Sequence, residues 1–132
     1  MKTYLAIFQP VEEGGFFIRF PDVEGALTQG HDLEEGFEMA TDALALILVE
    51  FPKLPRASKS EDLAPTLEPG EFLVPIPVDE KLLHKYRPKE RVNIMLPADV
   101  LADLDAYRAT TGEDRSALLA EGARMLLEQK GA

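Results

Sequence analysis

Cysteine is absent from all 132 residues, which excludes disulfide staples, thiolate nucleophiles and thiolate metal sites together. His31 and His84 are the only histidines. Without Cys, and without two His one helical turn apart, the donor set for a zinc or nickel centre is missing. No apolar run approaches the roughly 18 residues of a membrane helix, and the first residues alternate like a strand instead of forming a signal peptide's apolar core. There is no Gly-rich phosphate loop, nucleophile elbow or Ser/His/Asp set. These absences lead us to expect a soluble cytoplasmic protein with no metal or cofactor. Positive charge is also scarce, with 14 Lys and Arg against 24 Asp and Glu for a net charge of −10. What remains is 45% hydrophobic, enough for packed cores and too much for a disordered chain.

The first half reads as a small sheet with a covering helix. In Lys2 to Gln9, Tyr4, Ala6 and Phe8 alternate with Leu5 and Ile7, the period of a strand. Pro10 to Gly15 is a turn, Phe16 to Phe20 the returning strand, Pro21 to Gly25 a second turn, and Ala26 to Gln29 a short third strand. Asp32 then caps a long helix, with Glu35 placed to complete a capping box. Leu33, Phe37, Ala40, Leu44, Ile47 and Phe51 form the apolar stripe expected to cover the sheet, and Pro52 ends the helix. Pro52 to Gly70 reads as a surface excursion. Glu71 to Val78 is a fourth strand, confined by Pro75 and Pro77 to a sheet edge.

The last third has a different grammar. Val92, Ile94 and Leu96 alternate with Arg91, Asn93 and Met95, and Pro97 stops the run. A stripe of Val100, Leu101, Leu104 and Tyr107 follows at helical spacing, ended by Thr110-Thr111-Gly112. Asp114 or Ser116 can cap a second helix from about Arg115 to Gln129, carrying Leu118, Leu119, Ala123, Leu126 and Leu127. Gly122 within it costs about 1 kcal/mol against Ala, a cost that a close helix approach across a dimer axis would explain. A lone strand and two helices cannot bury their own apolar faces, so the pattern calls for a second copy. The two-stranded ribbon so formed fits the major groove of B-DNA. An ordinary β-α-α fragment of a larger core is the plain alternative.

The run R-V-N-I-M-L-P, the short helix and the T-G-E-D-R-S turn resemble the ribbon-helix-helix family of DNA-binding repressors, over about Glu90 to Gln129. That resemblance implies base contacts from Arg91, Asn93 and Met95. Many relatives carry a basic or polar residue where this chain has Met95. Helix N-termini, here at Arg115 and Ser116, would rest on phosphates, with Lys89 contributing a further phosphate contact. Lys85, Arg87, Lys89 and Arg91, set against Glu90, give a local net charge of +3. A dimer doubles it to about +6, enough for salt-sensitive phosphate binding despite the acidic remainder.

A second resemblance lies in F-x-P-V-E-E-G-G-F-F-I-R-F-P-D-V-E-G-A-L-T-Q-G-H-D-L-E-E-G-F-E-M-A, which looks like the N-terminal domain of HicB-type antitoxins. The resemblance implies a truncated ribonuclease H-like domain without catalytic carboxylates, which binds HicA, a small basic messenger-RNA-cleaving toxin. Members with a C-terminal DNA-binding domain repress their own operon. The expected fold class is therefore α+β, a small β-β-β-α-β domain followed by a ribbon-helix-helix domain. The expected domains are residues 1–85 for toxin neutralisation, a linker at 86–89 and residues 90–132 for DNA binding.

The expected partners are a HicA-type toxin, operator DNA and a second copy through the C-terminal domain. Whether dimers associate further through the N-terminal sheets stays open. Glu12, Glu13, Asp22 and Glu24 are the candidates to pair with basic groups of the toxin. A ribonuclease H-type enzyme needs about four carboxylates converging on two metals. Asp22, Glu24, Asp32 and Glu35 sit instead in a turn and at a helix cap, so no enzyme activity is expected. A ligand-responsive repressor with an N-terminal sensor is the leading rival, and a residual nuclease is a distant one.

Overall fold

The computed structural model of the protein describes residues 2–131, and they divide into two compact units, the first ending at Lys89 and the second beginning at Glu90. In the first, β1 (Lys2–Pro10), β2 (Phe16–Arg19), β3 (Leu27–Gly30) and β4 (Phe72–Val78) form one antiparallel sheet in the order β3-β2-β1-β4. The central strand β1 pairs Phe8 with Ile18 on one side and with Phe72 on the other. β4 lies at an edge, as Pro75 and Pro77 require, since neither ring nitrogen can donate to a further strand.

Helix α1 (Leu33–Leu48) lies on the face that displays Tyr4, Ala6, Phe8, Ile18 and Ile76. Asp32 accepts from the Glu35 amide at 2.7 Å, and the Glu35 carboxylate accepts from the His31 amide at 3.1 Å, close to the capping box read from the sequence. The buried face of α1 differs from the expected stripe. Gly36, Ala40, Leu44, Ala45 and Leu48 are buried, whereas Leu33, Phe37 and Phe51 are exposed. The shift has a steric cause, because Gly36 lets the helix sit directly on the sheet. A Cβ there would lie 2.8 Å from the Phe8 ring, and one on Gly30 would lie 2.6 Å from Gly36 Cα. The helix also ends at Leu48, before Pro52 can stop it.

Residues 52–70 are more than a surface excursion. They contain the single-turn helix α2 (Ser60–Leu63) and a 3₁₀ turn (Ala64–Thr66), and Leu63 is buried. The buried Tyr4 hydroxyl donates to the Pro55 carbonyl at 2.6 Å, and burial raises the phenol's pKa. The segment before the C-terminal unit is also helical. α3 (Glu80–Tyr86), capped by Asp79, packs Leu83 into the core, and Tyr86 donates to Asp42 on α1 at 2.9 Å. That bond from Tyr86 raises the phenol's pKa, and it ties the start of the expected linker to the first unit.

The sheet's other face carries a polar brace. Arg19 reaches across β1 to Glu71 through two hydrogen bonds of 2.7 and 3.1 Å, over the buried Ile7. Glu71 also accepts from the Glu68 amide at 2.8 Å, and only 2% of its side chain is exposed. Those bonds, Arg19 first, hold its carboxyl below the usual range.

The second unit holds α4 (Ala98–Thr111) and α5 (Arg115–Gln129). Gly112 closes α4 in the left-handed conformation at φ 76°, and Asp114 caps α5 by accepting from Ala117 at 2.7 Å. Arg91–Pro97, expected as a strand, has no regular structure in the single chain. The physical reason is that a strand exists only by pairing, and none of the described strands pairs with this one.

Candidate functional site

Each candidate toxin-facing carboxylate stands on a turn, but the turns are different ones. Glu12 and Glu13 are exposed in the β1–β2 turn, which is closed by bonds between Val11 and Gly15 and between Gly14 and Val11. Asp22 and Glu24 follow the other end of β2, a strand of four residues that spans about 13 Å. The structure therefore separates the four into two pairs. Asp22 is already committed, since its two oxygens accept from the Ser58 amide and hydroxyl, both at 2.7 Å. It pins the 52–70 segment. Glu24 is exposed.

The carboxylates considered for metal catalysis are dispersed in the same way. Asp32 caps α1, Glu35 holds the His31 amide, and no cluster of three or more metal-ligating side chains exists among the described residues. No described helix is long and apolar enough to cross a membrane.

In the second unit, Arg91, Asn93 and Met95 are all exposed, Met95 at 98%. So are their neighbours Val92, at 71%, and Ile94, at 60%, which the alternation assigns to the inner face of a ribbon. Val100 and Tyr107 on α4 and Met125, Leu126 and Leu127 on α5 are exposed as well. No described residue from Glu90 onward is buried. A unit with this much apolar surface and no interior is not a stable fold by itself.

Arg115 and Ser116 sit at the α5 N-terminus as expected, with a neighbour that sequence reading missed. Arg115 donates to both oxygens of Asp105 at 2.9 and 2.8 Å, and Arg108 donates to the same carboxylate at 3.0 Å. Arg108 also reaches the Glu113 carbonyl at 3.2 Å, so the network spans the α4–α5 corner. The two arginines hold the Asp105 carboxyl down to about 2 from its ordinary 3.8, the larger effect coming from Arg115. The sequence signal was available, because Asp105 and Arg108 are one turn apart on α4 and a Gly turn returns Arg115 towards them. Lys89 is exposed, while Arg87 is paired with Glu80 at 3.1 Å, which reduces the basic patch.

Comparison with known proteins closes the question of kinship. A family profile described as "HicB_like antitoxin of bacterial toxin-antitoxin system" matches residues 4–123, running through both units. The chain belongs to the HicB-like antitoxin family. Antitoxin HicB 1 of Photorhabdus laumondii is 58% identical over 41 residues, 31% of this chain and 26% of that protein. The match thus spans about a quarter of that relative's length. The antitoxin HicB of Burkholderia pseudomallei has a similar structure, with a TM-score of 0.54 at 24% identity, covering 93% of this chain and 96% of that one. A toxin–antitoxin complex from Streptococcus pneumoniae contains a chain with a TM-score of 0.55 at 20% identity, covering 93% and 97%. At these identities the two structures establish the α+β fold of the HicB-like chain.

Proposed function

We propose that the chain is a non-catalytic antitoxin. Its N-terminal unit binds a HicA-type RNase and covers that enzyme's RNA-binding surface. Its C-terminal unit pairs with a second copy and binds operator DNA, repressing the operon that encodes it. The observation that carries this reading is the family match over residues 4–123, which joins a folded N-terminal unit to a C-terminal unit with no interior. The Streptococcus pneumoniae chain of the same fold comes from a toxin–antitoxin complex, which supports a toxin as the partner.

In the pairing, Arg91–Leu96 of two copies form the ribbon, with Val92, Ile94 and Leu96 inward. Arg91, Asn93 and Met95 then face the major groove, where Arg can pair with guanine, Asn with adenine, and Met can pack on a thymine methyl. Lys89 and the α5 N-terminus at Arg115 and Ser116 meet phosphates. Among the described residues, Asp114 already accepts from Ala117, so the amides offered are those of Arg115 and Ser116. Toxin and operator are coupled through avidity or a geometric clash.

A ligand sensor in the N-terminal unit is less well supported. A cleft there, lined by Lys2, Leu54, Val78, Asp79, Glu80 and Leu83, holds about 90 Å³. Small-molecule sites run to about 300–1,000 Å³.

Co-expression of the full chain with the protein encoded beside it tests the proposal. The expected result is a neighbour that arrests growth alone, is harmless with this chain and co-purifies with it. A harmless neighbour that does not bind would overturn the antitoxin reading and move the ligand-responsive repressor forward.

A further inference from the structure

The N-terminal turns of α1 rest on the sheet through Gly36, yet they leave an apolar pair in the open. Gly36, Ala40, Leu44 and Leu48 are buried, but Leu33 and Phe37, one turn apart along the helix, are 53% and 40% exposed. Two neighbouring apolar side chains left exposed on one helix end mark a place for another molecule.

The β1–β2 turn adjoins that end of the helix. A Cβ on Gly15 would lie 2.5 Å from the Gly30 carbonyl oxygen and 3.2 Å from His31 Cα, so the turn abuts the residues that lead into α1. That turn carries the exposed Val11, Glu12 and Glu13 at the same end of the unit as the start of α1, and Glu34 stands on the first turn of the helix. None of Glu12, Glu13 and Glu34 has a salt-bridge partner among the described residues. The sequence supplies no Lys or Arg between Lys2 and Arg19 or between Arg19 and Lys53.

Charge selects the occupant. A second copy docked on this surface would bring like carboxylates together, and a nucleic acid or an anionic membrane would be repelled. An apolar centre with an uncompensated acidic rim fits a basic protein that offers an apolar anchor among Lys and Arg side chains.

We propose that Leu33 and Phe37, rimmed by Glu12, Glu13 and Glu34, are the docking surface for the basic toxin. This rests on the antitoxin reading and adds to it. Of the two pairs of carboxylates, the toxin meets Glu12 and Glu13, while Asp22 serves the fold.

Binding of the co-purifying neighbour to the full chain, measured by titration calorimetry, tests this. Leu33→Lys and Phe37→Lys, made separately, should each weaken binding by about 30-fold or more, the loss typical of a central anchor. The double change Glu12→Lys with Glu13→Lys should weaken it by about tenfold, through a slower association that high salt equalises with the wild type. Phe17→Lys, on the opposite face of the sheet, should bind as wild type. All variants should keep the wild-type melting temperature because the altered side chains are exposed. If Phe37→Lys alone misfolds, Leu33→Lys and the charge reversal decide. Wild-type affinity in those variants, or a loss confined to Phe17→Lys, would overturn the surface while leaving the antitoxin reading intact. A wild-type chain that binds no such partner would overturn both.

Discussion

The two units differ in whether they possess an inside. Among the described residues, all sixteen buried hydrophobic ones lie in the first unit, from Tyr4 to Leu83, and none in the second. Of the sixteen described large hydrophobic residues left exposed, eight lie in the second unit, which is only about a third of the chain. The first unit closes its core by itself, with α1 and α3 over the sheet and Arg19–Glu71 on the other face. The second has the Gly112 close of α4, the Asp114 cap of α5 and an ionic corner, but no buried residue among those described. Helix caps and surface ion pairs each contribute about 1 kcal/mol or less, which does not replace a core. The difference teaches that the two units need different kinds of stability. The first unit's is intrinsic, and in the proposed pairing the second unit's is supplied by association and so depends on concentration.

The comparison can be broken most sharply at Ile94. Ile94→Asp should leave the first unit's melting transition in place but abolish pairing, weakening operator binding by about 100-fold or more because a single half-site remains. Sedimentation and a mobility-shift assay read both effects. In the first unit, Leu44→Ala should cost about 2–5 kcal/mol in urea unfolding without changing the dimerisation constant. Gly36→Ala, which drives a methyl against Phe8, should cost about 1–3 kcal/mol by the same measurement. Asn93→Ala should leave the dimer intact and weaken specific DNA binding by about 1–3 kcal/mol, while non-specific binding stays unchanged. The smallest effect concerns Asp105. Its carboxyl is shifted down to about 2 from 3.8, so its pairs with Arg115 and Arg108 are fully formed above the unfolded value. Their contribution is lost as pH falls from about 4 through about 2, and Asp105→Asn should flatten that part of the stability profile.

Much of this architecture is legible in the residues. Period-2 alternation gave β1, Pro75 and Pro77 gave the edge position of β4, and Asp32, Gly112 and Asp114 marked helix ends within a residue or two. Local rules sufficed because caps and turns are decided by neighbours in the chain. The buried face of α1 was misjudged because the stripe was read by hydrophobicity alone. Gly36 faces the sheet since it is the smallest residue on the helix, and only the closeness of Phe8 reveals that. The tethers Asp22–Ser58 and Tyr4–Pro55 join residues more than thirty positions apart, so no local pattern announces them. The candidate carboxylates were equally plausible in the sequence. The hydrogen bonds of Asp22 and the abutment of Gly15 on His31 distinguish them. Arg91–Pro97 shows the converse case, a strand pattern in the sequence that has no regular structure in the chain.

Sedimentation velocity of the full chain across a range of concentrations tests the central claim most directly. The account predicts a dimer or larger species that gives way to the 14.6 kDa monomer only on dilution or on Ile94→Asp substitution. A monomer at every concentration, with the helices of the second unit intact, would contradict it.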